Sequence, residues 1–373
     1  MIGQRLRVVP ERMAHGGRAV ARHEGQAVFV TGAMPGDTVH AIIVSRGKRH
    51  LEAVTEDVLE PSPDRVAAPC PYFGSCGGCQ WQAARYQAQL AWKEEVVSGQ
   101  LRHLARLEPP MRSILAVGPS YGYRNRVDLR IDGGRPAFFR EASHDLVPID
   151  NCLVAVPLIQ QLLAEIESLS GVERLTLRAG VRTGDTVALA NQDFARLHEV
   201  VSGKRFRISG RAFFQNNTDG AEALVRLVTE ALDPRDDDVL VDGYAGGGLF
   251  SAAVGQGCRV YAVESDPVAA SDLAVNSDAT VLTERFESCE GLPTAWDVAV
   301  VDPPRVGLGR KGVDKLVAGW PRAIAYVSCD PASFARDAAL LVAGGYHLDW
   351  VQPVDMFPQT FHVEIVGRFL RPG

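Results

Sequence analysis

The sequence predicts an α/β protein: an open, mostly parallel sheet with helices on both faces, preceded by a small β-barrel and a mixed central region. Three observations carry this. From about residue 218, strand and helix patterns alternate at regular spacing; residues 1–58 break into short strands between Gly, Pro and Asp turns; and 373 residues exceed one ordinary domain. The boundaries expected are 1–58 for the barrel, 64–205 for the central domain and 206–373 for the α/β domain.

In the barrel, strands are predicted at 17–22, 26–31, 38–45 and 50–57. Arg and Lys outnumber Asp and Glu here, reversing the sign of the whole chain, whose net charge is −6. Two readings stand on charge alone: a nucleic-acid-binding module, or a solvated capping domain. The stretch "LEPSP" (59–63) reads as a linker. The central region holds an amphipathic stretch at 83–104 and strand-like segments such as "VDLRID", "RLTLRAG" and "TVALAN". Beyond it, strands are predicted at 239–243, 259–264, 280–284, 297–301 and 323–328, and helices near 248–256, 266–276, 311–319 and 333–343. Two further strands follow, in "HLDWVQPVDM" and "HVEIVGRFL".

A composition of 46% hydrophobic and 23% charged residues is that of a soluble globular chain. No apolar run approaches the roughly 20 residues that span a bilayer, and "MIGQRLRVVPERM" has no signal-peptide core. The expectation is a cytoplasmic protein with no membrane partner, whose seven cysteines are reduced, reactive or metal-bound.

"VLVDGYAGGGLF" is an apolar strand, an acid, then a glycine-rich turn opening a helix. Such a turn lets backbone approach a ligand, and Glu264 at the end of the next strand stands where a ribose diol is gripped. Asp242, Gly246, Gly248 and Glu264 together point to a nucleoside ligand, either a nicotinamide cofactor or S-adenosylmethionine. The mononucleotide-sized layout in the C-terminal half favours the latter. "VVDPPR" leaves Asp302 at a strand end, because proline stops the ladder and exposes the acid. In "AIAYVSCDPASFARD" Cys329 sits at the lip of the following strand, and the helix beginning near Ser333 is expected to lower its pKa. Cys329 is the nucleophile candidate; Cys258 and Cys289 read as core residues. Glu364, beside His362, is either a sheet-edge charge or the general base such a mechanism requires. Cys70, Cys76 and Cys79, spaced C-x5-C-x2-C, read as metal ligands with Cys152 the only spare thiol upstream of the α/β domain. All-thiolate ligation suits zinc or an iron–sulfur cluster.

Seven segments in order, "CPYFGSCGGCQWQ", "FFQNN", "DGYAGGG", "VES", "VDPPRVG", "YVSCDPASFARD" and "DMFPQTFHVE", resemble the S-adenosylmethionine-dependent RNA uracil-C5 methyltransferase family, over essentially the whole chain. The resemblance implies a Rossmann-like class I methyltransferase domain, a TRAM/OB-like RNA-binding barrel, and a [4Fe–4S] cluster on Cys70, Cys76, Cys79 and Cys152 in the central domain. It implies Cys329 as nucleophile towards uracil C6, Glu364 as base for the C5 proton, and Gln215, Tyr244, Gly246, Glu264 and Asp302 around cofactor and base. It favours 23S ribosomal RNA over transfer RNA as substrate and implies no obligate protein partner. The chain departs from the family pattern at Gly243, Ala245, Leu249, Gln359 and Phe361, and Glu284 with Arg285 stands where an Asp commonly contacts adenine. The competing readings are an amino-methylating enzyme, suggested by "DPPR", a cytosine-C5 methyltransferase, and a non-catalytic RNA-binding protein or RNA chaperone.

Overall fold

Alternation in β1 (Arg5–Val8) puts Leu6 and Val8 inside and Arg5 and Arg7 outside, the signature of a half-buried strand. It is followed by β2 (Arg12–Met13), β3 (Ala19–His23), β4 (Gln26–Thr31), β5 (Thr38–Arg46) and β6 (His50–Glu60). In the computed structural model, which describes residues 2–166 and 168–372, these form one six-stranded sheet in the order β1-β5-β6-β4-β3-β2. The chain divides into two compact units: Met1–Gly99 with Phe138–Val147 and Phe357–His362, and Gln100–Ala137 with Pro148–Met356 and Val363–Gly373.

In the first unit the inward faces of the sheet make one apolar core with Trp81, Ala84, Ala88, Trp92 and Val96, four of them on or beside α1 (Tyr86–Gln100). Trp81 and Trp92 meet edge to face with centroids 5.5 Å apart, a favoured aromatic geometry. The "LEPSP" stretch is not a loose linker. β6 runs to Glu60, and buried Asp37 accepts from Ser62 N–H at 2.8 Å and from the Arg65 guanidinium, so the segment is tied to the sheet it leaves. The basic excess is also smaller than the sequence suggests. Arg5 pairs with Glu56 and Asp57, Arg7 with Glu60, and Arg18 with Glu52. The turn between β5 and β6 still presents exposed Arg46, Lys48 and Arg49.

The second unit carries β7 (Leu115–Ala116), β8 (Arg126–Asp132), β9 (Arg135–Phe139), β10 (Leu146–Pro148), α2 (Pro157–Ala164), β11 (Arg174–Ala179), β12 (Thr186–Ala190) and the hairpin β13 (Arg196–Val201) and β14 (Lys204–Ser209); Phe138, Phe139, Leu146 and Val147 at the inner ends of β9 and β10 belong to the first unit. Then comes α3 (Thr218–Leu232), capped by Asn217, whose side chain accepts from Gly220 N–H at 3.0 Å. The alternation that follows is β15 (Val239–Gly243), α4 (Leu249–Ala253), β16 (Arg259–Val263), α5 (Pro267–Asn276), β17 (Thr280–Leu282), β18 (Val298–Val301), α6 (Gly309–Gly319), β19 (Ala323–Ser328), α7 (Pro331–Ala343), β20 (His347–Asp355) and β21 (Glu364–Leu370). With β7, these seven strands form an eight-stranded sheet in the order β17-β16-β15-β18-β19-β21-β20-β7. The first five are parallel, and β21 enters antiparallel between β19 and β20. The strands of the middle, such as β15, β18 and β19, are buried along their whole length, as a sheet covered on both faces requires. The order reverses between β15 and β18, so a crevice opens at their carboxyl ends, where open α/β sheets bind ligands.

Candidate active site

Every residue proposed for the cofactor and the chemistry sits at that carboxyl edge, on the second unit. Asp302 follows β18 directly, and Cys329 follows β19. The β19/β21 register pairs Ser328 with Ile365, so one step further Cys329 stands opposite Glu364, the first residue of β21. The end of this antiparallel pairing thus brings the two residues to one edge of the sheet, near enough for the carboxylate to act on the thiol, although 35 positions separate them in the chain. Gln215, immediately ahead of α3, donates its amide N–H to Asp302 Oδ2 at 3.1 Å.

The electrostatics differ from the sequence expectation at Cys329. The helix N-terminus is present, beginning at Pro331 with Asp330 as its cap. Burial nonetheless pushes the thiol up to about 12, with the Glu364 and Asp302 carboxylates adding to it and the Arg305 charge opposing. Desolvation and neighbouring anions outweigh a helix dipole whose cap residue is itself an acid. Glu364 is held well above the usual carboxylate range by burial and by Asp302. Asp302 is raised for the same reasons, burial first and Asp242 second, with the Gln215 hydrogen bond opposing. Deeper still, Asp242 is fully buried and pushed up to about 7 by desolvation. One of its oxygens accepts from Ser251 N–H at 2.8 Å and Ser251 O–H at 2.5 Å; the other, Oδ1, is buried without a hydrogen-bond partner.

The glycine-rich turn is shaped by two different demands. Gly248 lies at φ 87°, and an added Cβ would meet Leu273 Cδ1 at 2.6 Å, so it is needed for the turn itself. Above Gly246 the nearest atom to such a Cβ is on Phe213 at 3.7 Å, leaving room for a ligand to lie on the backbone. Gly246 N–H donates to Glu264 Oε2 at 2.8 Å, and Asp266 N–H to Glu264 Oε1 at 2.7 Å. Glu264 therefore braces the turn besides standing where a diol would be held. Helix α4 has five residues against the nine expected, so little helix dipole stands behind the turn. Tyr244 takes a positive φ of 63°, unusual for a tyrosine, and its hydroxyl donates to Glu287 Oε1 at 2.8 Å.

Several residues around the site escaped sequence reasoning. Arg178, fully buried, donates to the carbonyls of Ala212 (2.8 Å) and Phe214 (3.4 Å), and Arg126 also binds Ala212 O at 3.1 Å. Asn125 donates to Gln215 O at 3.2 Å and to Thr218 Oγ1 at 3.1 Å. These contacts fix the backbone that presents Gln215. An isolated arginine in a strand carries no local sign that it will be buried.

The cysteine segment is a run of tight turns, with Cys76 N–H donating to Tyr72 O at 2.8 Å and Gly78 N–H to Cys76 Sγ at 3.4 Å. A backbone donor aimed at sulfur suits a thiolate, and Cys70, Cys76 and Cys79 are all partly exposed. Cys152 lies in the other compact unit. Among the described residues no three His, Cys, Asp or Glu side chains are gathered as a metal site. None of the seven cysteines is in a disulfide. No described helix is long and apolar enough to cross a membrane.

A sheet in which a parallel 3-2-1-4-5 run is completed by an antiparallel strand, with acids at the ends of its middle strands, defines a class I methyltransferase fold. A solved structure, the tRNA (uracil-54, C5)-methyltransferase of Pyrococcus abyssi in complex with S-adenosyl-L-homocysteine, superposes with a TM-score of 0.76 at 24% identity, covering 98% of this chain and 100% of its own. No family model matches the chain. Named RNA methyltransferases from Streptomyces avermitilis and Gloeobacter violaceus, both uncharacterised, are 35% and 33% identical over 98% and 99% of this chain and 98% and 97% of their own lengths. The chain belongs to the RNA methyltransferases.

Proposed function

We propose that this protein transfers a methyl group from S-adenosylmethionine to C5 of a uridine in RNA, with 23S ribosomal RNA the first candidate, in the cytoplasm. The observation that carries the reading is the juxtaposition of Cys329 with Glu364 across the β19/β21 pairing, beside Asp302 and its Gln215 partner. Uracil C5 alone is a poor nucleophile, so a thiol beside a carboxylate answers the chemical problem.

Cys329 loses its proton to solvent, which reaches its partly exposed side. Its sulfur forms a bond to C6, and the C5=C6 electron pair moves towards O4. S-adenosylmethionine, when bound, supplies an electrophilic methyl on a sulfonium, and C5 takes that methyl as the sulfonium C–S bond breaks. Glu364 then accepts the C5 proton; the electrons reform C5=C6, the C6–S bond breaks, and Cys329 is released. Gln215 and Asp302 present an amide and a carboxyl group to the polar edge of the base. Cys70, Cys76 and Cys79 are proposed to supply thiolates to a [4Fe–4S] cluster that serves structure. Their spacing and the donor on Cys76 Sγ support this. Anaerobically purified protein should carry about four irons and four sulfides, and Cys76→Ala should lose them.

The functional test is methylation of unmodified ribosomal and transfer RNA with radiolabelled methyl donor, followed by nucleoside analysis. The expected product is 5-methyluridine, absent with Cys329→Ala. Glu364→Gln should instead accumulate a covalent protein–RNA adduct, since methylation precedes the proton removal it blocks. Label in transfer RNA alone would move the substrate; label in 5-methylcytidine would overturn the uracil assignment. No label with either RNA would favour a binding protein.

A further inference from the structure

We propose that Asp337 is a positioning residue that bolts the loop following Asp302 onto the helix following Cys329, so that acid and thiol are held as one rigid body. The inference rests on the roles given above to Cys329 and Asp302. Asp337 lies on α7, two turns beyond Cys329, and is buried. Its Oδ2 accepts from Leu308 N–H at 2.7 Å and from the Tyr326 hydroxyl at 2.7 Å, and its Oδ1 from Gly309 N–H at 3.1 Å. One carboxylate therefore gathers the loop after β18, the strand β19 and its own helix. These bonds include no guanidinium or ammonium; neutral donors from loop and strand fill both oxygens, the arrangement that makes a buried carboxylate tolerable.

The loop is built to fit this anchor. Gly307 N–H closes a turn onto Pro304 O at 2.8 Å, and Gly307 sits at φ 82°. A Cβ there would lie 2.4 Å from Asp337 Oδ2 and 3.0 Å from Ser333 Cβ, so the close approach of loop to helix needs glycine. Between Asp302 and this clamp lies Arg305, whose charge opposes the upward shifts of both Cys329 and Glu364. The same carboxylate thereby sets where Asp302, Arg305 and Cys329 stand relative to one another.

The test uses the full-length protein with RNA and with the same RNA carrying 5-fluorouridine, whose C5 fluorine cannot leave as a proton does and so traps the adduct. Asp337→Asn should lower kcat and the rate of adduct formation about 10²-fold while KM for each substrate stays within about threefold, the pattern of a misplaced reacting group. Gly307→Ala disturbs the junction from the loop side and should give the same split. The double variant should be no slower than the slower single one, because both break one junction. Turnover at the wild-type rate, or a loss confined to KM, overturns the proposal. Should Asp337→Asn not fold, Gly307→Ala and Tyr326→Phe decide by the same criteria. If the wild type forms neither product nor adduct, the functional reading fails instead. The anchoring is then read by hydrogen exchange at Leu308 and Gly309, where faster exchange in the variants supports it and unchanged exchange rejects it.

Discussion

Cys329 in the free protein is a protonated thiol at neutral pH, because burial and two carboxylates push it up to about 12. A thiol so far above the working pH gains about tenfold in thiolate for every pH unit, so the rate of adduct formation should climb about tenfold per unit from pH 7 to 9. Adduct formation with fluorinated RNA, followed across that range, checks this; a plateau below pH 8 would show that bound RNA or cofactor has already reset the thiol. Asp242 makes a second prediction of opposite kind, on stability. Its folded value of about 7 lies above the ordinary 3.8, so the folded state holds the proton more tightly. The stabilisation is complete below about pH 4 and disappears as pH rises through 7, on the order of 4 kcal/mol by linkage. Asp242→Asn keeps an oxygen for Ser251 and offers an amide at the orphaned position. Its melting temperature should therefore fall less between pH 5 and 8 than that of the wild type.

Within the elements, the turn between β15 and α4 separates folding from binding. Gly248→Ala forces a left-handed alanine against Leu273 and should cost about 2 kcal/mol in denaturant unfolding. Gly246→Ala meets Phe213 only at van der Waals distance, so it should cost about 1 kcal/mol through its positive φ and act mainly on cofactor affinity. The strand–helix alternation from β15 to α7 was legible to within about three residues at each end, since fully buried parallel strands are short apolar runs bounded by Gly, Asp and Pro. β1 and β2 were missed because two to four residues give too little alternation to stand out. The length of α4 was overestimated: "LFSAAVGQG" is apolar enough to continue, but the chain turns at Val254 to feed β16.

At the scale of the whole molecule, a net charge of −6 has to coexist with RNA as substrate. The exposed Arg46, Lys48 and Arg49 of the β5–β6 turn are the cations of the N-terminal sheet left outside its ion pairs in one short stretch. Replacing all three by alanine should reduce the slope of log affinity against log salt by about 2–3, with cofactor affinity unchanged. Filter binding of RNA at several salt concentrations measures it. An unchanged slope would move the electrostatic footprint off this turn.

Motif chemistry and the succession of strands and helices along the chain were available from the sequence alone, because the ends of buried parallel strands are marked by local composition: Asp302 before two prolines, Cys329 before Asp330 and Pro331, glycines after Asp242. What acts on those residues was not local. The level of the Cys329 thiol is set by burial and by Glu364 arriving across an antiparallel pairing. The placement of Gln215 is set by Arg178, Arg126 and Asn125 from strands and turns about 35 to 90 positions earlier in the chain. Desolvation and Coulomb interactions depend on distance in space, and distance in space is a property of the tertiary fold.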